Sequence, residues 1–283
     1  MIHETINFTE DGRVNLQTYI PDVYREDIPL RPAMIACPGG GWEFHGIADG
    51  EGVALTFVEE GYAGFVLNYS LNEYASFPNP LIEISWAIKT VRENAEKWHI
   101  DPNKIVVSGF SAGATVAALS ATQWMDARII EALGGESLQY RPNAAVLAYG
   151  VYDMSTIFSG VDLASIPKEV AIEQGMKMGF SLGQIVANLA PEVNVVNYVT
   201  QETVPTFFFQ SITDEFIPVT NPLKLAEKLD ENKVKFEMHI FGSGRHGMSV
   251  NTKLVDPEYA IDESASLWVP LCVKWLESII IKD

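Results

Sequence analysis

Three short stretches of this chain place a hydroxyl, backbone amides and an imidazole where acyl-transfer chemistry would need them. In Gly109-Phe110-Ser111-Ala112-Gly113, a serine stands between two glycines where the apolar run Ile105–Val107 gives way to an alanine-rich helical segment. A serine hydroxyl is a weak nucleophile that needs a base beside it. It must also project from a very tight turn toward an incoming carbonyl. Small flanking residues permit such a turn, and G-x-S-x-G between strand and helix is the spacing of a nucleophile elbow. The helix that begins at the serine aims its first amides, Ala112 N–H among them, at a developing oxyanion.

The second stretch is Cys37-Pro38-Gly39-Gly40-Gly41-Trp42. Three glycines directly after an apolar strand let backbone approach a substrate without intervening side chains, as a second oxyanion donor requires. A phosphate-binding P-loop would continue with Lys-Ser/Thr, and none follows. Trp42 beside this loop is a candidate to stack on a sugar ring or to close a small acyl pocket, and otherwise a core residue. The third stretch, Phe241-Gly-Ser-Gly-Arg-His246-Gly-Met-Ser249, is a glycine-rich loop after the last strand pattern. Among five histidines, His246 is the candidate base. His45, close to the glycine loop, is the alternative and a candidate pocket residue. His3, His99 and His239 occupy the N-terminal segment, a helix end and a strand. For the orienting acid, Asp214 lies at the end of the strand pattern Thr206–Gln210 and precedes His246; Glu215 and Asp153 are the alternatives. Such an acid fixes the imidazole tautomer and stabilises the imidazolium.

The elements that must position these groups follow from periodicity. Two alternating segments around Glu10-Asp11-Gly12 predict a hairpin within residues 2–20. Strands are expected at 33–37, 63–70, 104–109, 143–153, 204–213 and 234–242. Helices are expected at about 49–60, after Pro78 with a stripe of Ile82, Trp86, Ile88 and Val91, from Ser111 onward, at 221–232 and within 262–280, where Pro270 starts or kinks the helix. Strands alternating with helices imply a mostly parallel sheet covered on both faces, with chemistry on loops beyond the carboxyl ends of the strands. Residues 154–200 break the rhythm with Met154, Phe158, Met176, Met178 and Phe180 among Gly and Pro, composing either an adaptable apolar pocket wall or a plain core cover.

Taken together, "CPGGGW", "DPNKIVVSGFSAG", "PTFFFQSITDEFIPV" and "GSGRHGMS" resemble the α/β-hydrolase superfamily, and within it the small bacterial acetyl esterases, xylan-acetyl esterases and feruloyl-esterase-like proteins. The resemblance runs over about residues 30–280. It implies an α/β-hydrolase fold in a single domain, 1–283, with a cap-like insertion at about 154–200. It makes Ser111 the nucleophile, Asp214 the acid and His246 the base, with backbone of Gly40, Gly41 and Ala112 as the oxyanion hole. Pro38 stands where the lipase-type motif has histidine, matching the Pro-Gly-Gly-Gly subgroup, and Ala114-Thr115 replace a frequent Gly-His.

The composition agrees with that class. A net charge of −18 argues against nucleic acid, since nothing would neutralise a row of phosphates. No apolar run reaches the roughly 18 residues of a membrane span. Met1-Ile-His-Glu-Thr lacks the start of a signal peptide and points to the cytoplasm. Two cysteines, Cys37 and Cys272, are too few for a disulfide framework or a C-x-x-C metal knuckle. The expected function is hydrolysis of short-chain, especially acetyl, esters of small molecules such as carbohydrates, with neither metal nor organic cofactor. A prolyl-oligopeptidase-type peptidase and a non-catalytic binding protein of the same fold are the alternatives.

Overall fold

Alternate residues of the first long strand serve opposite faces of a sheet, and both faces are dry. The computed structural model describes residues 1–25, 27–157 and 165–281. Strand β3 (Arg31–Cys37) sends Ala33, Ile35 and Cys37 into one apolar cluster and Met34 and Ala36 into another. Strands buried on both sides read as continuous apolar runs for this reason. The strands β1 (Thr5–Asn7), β2 (Asn15–Tyr19), β3, β4 (Ala63–Asn68), β5 (Ile100–Phe110), β6 (Ala144–Ala148), β7 (Thr206–Ser211) and β8 (Phe236–Phe241) form one sheet in the order β1-β2-β4-β3-β5-β6-β7-β8. The expected hairpin forms β1 and β2, which pair antiparallel, as do β2 and β4; the remaining pairs are parallel.

One face is covered by α2 (Asn79–Glu93), α3 (Ala112–Gln123) and α7 (Thr220–Glu231), the other by α1 (Val53–Glu59) and α8 (Trp268–Leu276). Every residue of α3 is buried. A helix that is apolar all round belongs in an interior, which is why its sequence is small and alanine-rich rather than amphipathic. A short α4 (Ala127–Leu133) follows it. Both cysteines are buried and unpaired. No helix among the described residues is long and apolar enough to cross a membrane.

Several boundaries differ from those the pattern predicts. The buried stripe of α2 is Leu81, Ile84, Ile88 and Val91; Ile82 and Trp86 lie on its flank, where the Trp86 ring meets Phe8 of the hairpin at 5.0 Å. Strand β6 stops at Ala148 although the apolar pattern runs on to Asp153, because Tyr149 and Tyr152 are buried off the sheet edge. The helix expected at 49–60 opens with a wide π-type turn, Ala48–Gly52. Helix α8 starts at Trp268, so Pro270 falls in the first turn, where an N–H has no intrahelical partner to lose.

From β6 to β7 the chain makes an excursion carrying α5 (Lys168–Lys177) and α6 (Leu182–Ala187). Ala171 and Ile185 centre a small apolar cluster of its own, with Met154, Ile157 and Phe180 packed against it. Met176 and Met178 are exposed and do not join it. Phe158 lies outside the described residues.

The order of the strands locates the reactive loops. From β3 the chain moves outward to β4, then crosses back to β5 on the opposite side of β3. At such a reversal the loops beyond two neighbouring strand ends diverge and leave a crevice. Cys37, the last residue of β3, pairs with Gly109 of β5, so the glycine loop and Ser111 emerge side by side. A Cβ on Gly113 would stand 2.0 Å from the Cys37 carbonyl oxygen, and one on Gly109 would stand 2.1 Å from the Gly113 carbonyl oxygen. These are backbone collisions that no side-chain adjustment relieves. Gly113→Ala is therefore expected to lose about 3 kcal/mol of stability, read by urea denaturation, whereas Gly242→Ala, where the space is open and φ is not positive, should lose less than half of that.

Candidate active site

Ser111 takes φ 52° and ψ −118°, a left-handed conformation that a non-glycine residue holds only when its surroundings compel it. Its amide donates to the Ala148 carbonyl (3.0 Å), and its carbonyl accepts from Ala114 N (3.0 Å), pinning the turn between β6 and α3. The side chain is left pointing out of the sheet. Its Oγ lies 2.8 Å from His246 Nε2. On the other edge of the ring, Nδ1 lies 2.8 Å from Asp214 Oδ2. With the ring proton on Nδ1, serine donates to imidazole and imidazole to carboxylate.

Asp214 hangs from the loop after β7. Its Oδ1 accepts from the amides of Phe216 and Ile217, both at 2.8 Å. Burial alone would push this carboxyl up; the hydrogen bonds from His246 and the two amides outweigh it and hold the group below the usual carboxylate range. The imidazole stands edge-on between Tyr149 (5.0 Å) and Phe216 (5.3 Å). Glu215 does not reach the ring; it accepts the backbone amide of His246 at 3.4 Å. Asp153 is engaged elsewhere, with Lys224 and the amide of Ser155. The remaining histidines serve the framework: His3 faces the Thr18 carbonyl, His99 that of Ile28, and His239 the Glu237 side chain.

Gly39, Gly40, Gly41 and Ala112 line the same cavity as Ser111. Gly39 gives its amide to Asp49 Oδ2 (3.2 Å). Gly40 (φ 134°) and Gly41 (φ 61°) adopt conformations that glycine tolerates, and a Cβ on Gly40 would stand 2.0 Å from the Phe44 carbonyl oxygen. Trp42 is both buried and part of the cavity wall, its ring edge-on to Tyr69 at 5.5 Å. His45 is not part of that wall. It packs edge-on to Tyr69 at 4.9 Å, and burial depresses its pKa to about 4, so it is a neutral framework residue rather than a base.

The cavity holds about 640 Å³. Its outer wall is apolar: Ile47, Phe216 and Phe44 are 79%, 69% and 61% exposed at its mouth. The excursion between β6 and β7 supplies Ile157, Phe180, Gln184 and Asn188. Gly183 of α6 abuts the glycine loop so closely that a Cβ would come within 2.5 Å of the Trp42 carbonyl oxygen. Sequence reasoning missed three residues: Asp49, Tyr149 and Gln184. The first two touch partners about a hundred positions away, and no local spacing marks such a contact. Among the described residues no group of His, Cys, Asp and Glu side chains is arranged to hold a metal ion.

The parallel sheet, its reversal point and the elbow on β5 define an α/β-hydrolase fold. The chain belongs to the BD-FAE family, whose model matches residues 16–229. The solved α/β hydrolase MGS-M1 from a Medee basin deep-sea metagenome library is 30% identical, covers 99% of this chain and 98% of its own, and superposes with a TM-score of 0.76. The acetyl ester-xyloside bifunctional hydrolase of Caldicellulosiruptor lactoaceticus is 29% identical, with 98% and 96% covered and a TM-score of 0.75. The acetylxylan esterase of Xylanibacter ruminicola is 24% identical over 88% of this chain and 46% of that protein. The chain spans less than half the length of the curated relatives it matches first.

The lowered pKa of Asp214 carries a stability consequence with a definite sign. A carboxyl held below its unfolded value stabilises the fold above that value, and the contribution is lost as the pH falls through the lowered one. Asp214→Asn is therefore expected to melt below the wild type at pH 7, and the difference should shrink once the pH drops under about 3.9, as thermal denaturation at pH 7 and pH 3 would show.

Proposed function

We propose that this chain is a serine carboxylesterase acting on short-chain acyl esters, acetyl esters of carbohydrates foremost. The observation that carries the proposal is the unbroken hydrogen-bonded run Ser111 Oγ, His246 Nε2, His246 Nδ1, Asp214 Oδ2, with 2.8 Å at both links. In this reading Ser111 Oγ attacks the ester carbonyl while His246 Nε2 takes its proton, and Asp214 stabilises the imidazolium that results. The tetrahedral intermediate collapses as His246 returns the proton to the departing alcohol. Water, deprotonated by the same imidazole, then adds to the acyl-enzyme, and the acid leaves with Ser111 regenerated.

The negative charge that forms on the carbonyl oxygen falls to the amides of Gly40, Gly41 and Ala112. Peptide geometry supports this role. The carbonyl of Gly39 accepts from Gly46 N (2.9 Å), and that of Gly40 from Glu43 N (3.1 Å), both inside the loop. In a trans peptide the N–H points opposite its C=O, so the following amides, of Gly40 and Gly41, turn out of the loop. Ala112 is the first residue of α3, where amides lack intrahelical acceptors and the helix dipole favours an anion. No step requires a metal or an organic cofactor.

The excursion carrying α5 and α6 would act as a small cap that shapes the alcohol side of the site. Its polar contribution, Gln184 and Asn188, suits hydroxyl groups, while Phe180, Phe216 and Trp42 offer ring faces and edges to a pyranose. Two relatives bear on the acyl group: one solved structure is described as an acetyl ester-xyloside bifunctional hydrolase, and one relative is named an acetylxylan esterase.

The test is hydrolysis of p-nitrophenyl acetate, butyrate and octanoate, then of acetylated xylo-oligosaccharides, by wild type, Ser111→Ala and Asp214→Asn. Rates are expected to fall with acyl length. Ser111→Ala should lose at least about 10³-fold and Asp214→Asn about 10³–10⁴-fold in kcat. Folded wild type that turns over none of these esters, or Ser111→Ala at wild-type rate, would sink the proposal.

A further inference from the structure

Behind the glycine loop lies a carboxylate that the reaction scheme does not use. Asp49 sits in the wide turn Ala48–Gly52, is 8% exposed, and has no lysine or arginine among its hydrogen-bonding partners. One oxygen, Oδ2, accepts from Gly39 N at 3.2 Å; the other, Oδ1, accepts from the Tyr149 hydroxyl at 3.3 Å. Tyr149, fully buried just past the end of β6, is held in a positive-φ conformation (φ 39°). Its hydroxyl also accepts from Ser249 N (2.9 Å), three residues beyond His246, and its ring stands 5.0 Å from the imidazole. Ser249 Oγ closes the circuit by donating to the Ala48 carbonyl (2.7 Å).

We propose that Asp49 and Tyr149 form a positioning bracket that fixes the glycine loop and the His246 ring on either side of Ser111. This deepens the esterase reading and rests on it. The loop that presents the oxyanion donors and the loop that carries the base come from segments two hundred residues apart. Beyond their meeting at Ser111, they are joined through this carboxylate and phenol and through the Ser249 hydroxyl on the Ala48 carbonyl. Glycine is needed at position 39 partly because a Cβ there would stand 2.7 Å from Asp49 Oδ2. Glycines in sequence resist no torsion by themselves, so an amide anchored at Gly39 sets the orientation of the two peptides that follow it. Burial pushes the Asp49 carboxyl up to about 6, against the hydrogen bonds it accepts, so the group is kept ionised at neutral pH at a cost in stability. Neither side chain touches the reacting atoms; both act through Gly39 and His246.

The variants Asp49→Asn, Asp49→Ala and Tyr149→Phe are compared with wild type and Ser111→Ala in three measurements. These are kcat and KM for p-nitrophenyl acetate, inhibition by an aryl boronic acid that forms a tetrahedral adduct on serine, and the rate of Ser111 labelling by a fluorophosphonate. Removing a single oxyanion donor costs about 10²–10³-fold, so loosening the donors should cost about 10–100-fold. Asp49→Asn and Asp49→Ala should lose this in kcat with KM within about threefold, and boronate affinity and labelling rate should fall in parallel. Tyr149→Phe, which keeps the ring against His246 and loses only the hydroxyl, should lose about fivefold, as befits one weakened hydrogen bond. Folded Asp49→Asn with kcat, boronate affinity and labelling rate within twofold of wild type would overturn the bracket, as would a loss confined to KM. If the Asp49 variants do not fold, Tyr149→Phe decides by the same three readings. Wild type that hydrolyses no ester overturns the esterase reading instead, and the fluorophosphonate rate still judges the bracket.

Discussion

Everything at the site depends on how closely the start of α3 approaches the end of β3. Gly113 lies so near the Cys37 and Pro38 carbonyls that hydrogen is the only side chain the space admits. Because of that contact, Ser111 and the glycine loop share one crevice instead of flanking two. The approach is possible only because Gly109 is also bare, allowing the helix to turn back over its own strand. It is bought in part by the left-handed strain at Ser111, which the hydrogen bonds of its amide and carbonyl hold in place.

Two buried carboxylates show how one environment gives opposite electrostatic results. Asp214 accepts two amides and an imidazole and is held below the usual carboxylate range. Asp49 accepts one amide and one phenol at longer range, and burial wins. Asp214 has more and shorter donors and is also less deeply buried than Asp49, and both differences favour its charged form. A third acid, Glu83, takes both the amide (2.8 Å) and the hydroxyl (2.5 Å) of Ser70, and burial raises it as well. Raised carboxyl groups in this fold therefore mark places where loops are tied down.

Much of this was legible in the sequence. Ser111, Asp214 and His246 each follow a strand pattern directly, and in a parallel sheet that position alone sends them to one edge. The three residues form the hydrogen-bonded run expected of them. Long-range partners were less accessible to reading. The apolar run from Ala144 to Asp153 reports burial, and burial past a strand end looks the same as burial in a sheet, so the end of β6 is misplaced by five residues. Helical periodicity gave a stripe on α2 but not its phase, which Phe8 of the distant hairpin shifts by drawing Trp86 to the flank. His45 stands three residues from a cavity-lining tryptophan yet turns to Tyr69, a choice made by packing that spacing does not record.

The seat of α6 on the glycine loop has a further implication for how such a site diversifies. Gly183 leaves no slack against the Trp42 carbonyl, whose own partner is the amide of Asn72 (2.8 Å). The cavity wall supplied by the excursion and the loop beside Ser111 are thus mechanically one piece. Remodelling the excursion also shifts the loop beside Ser111, unless Gly183 and its contact are retained. Wall and loop are coupled in this scaffold, and Gly183, the second residue of a six-residue helix, is the joint between them.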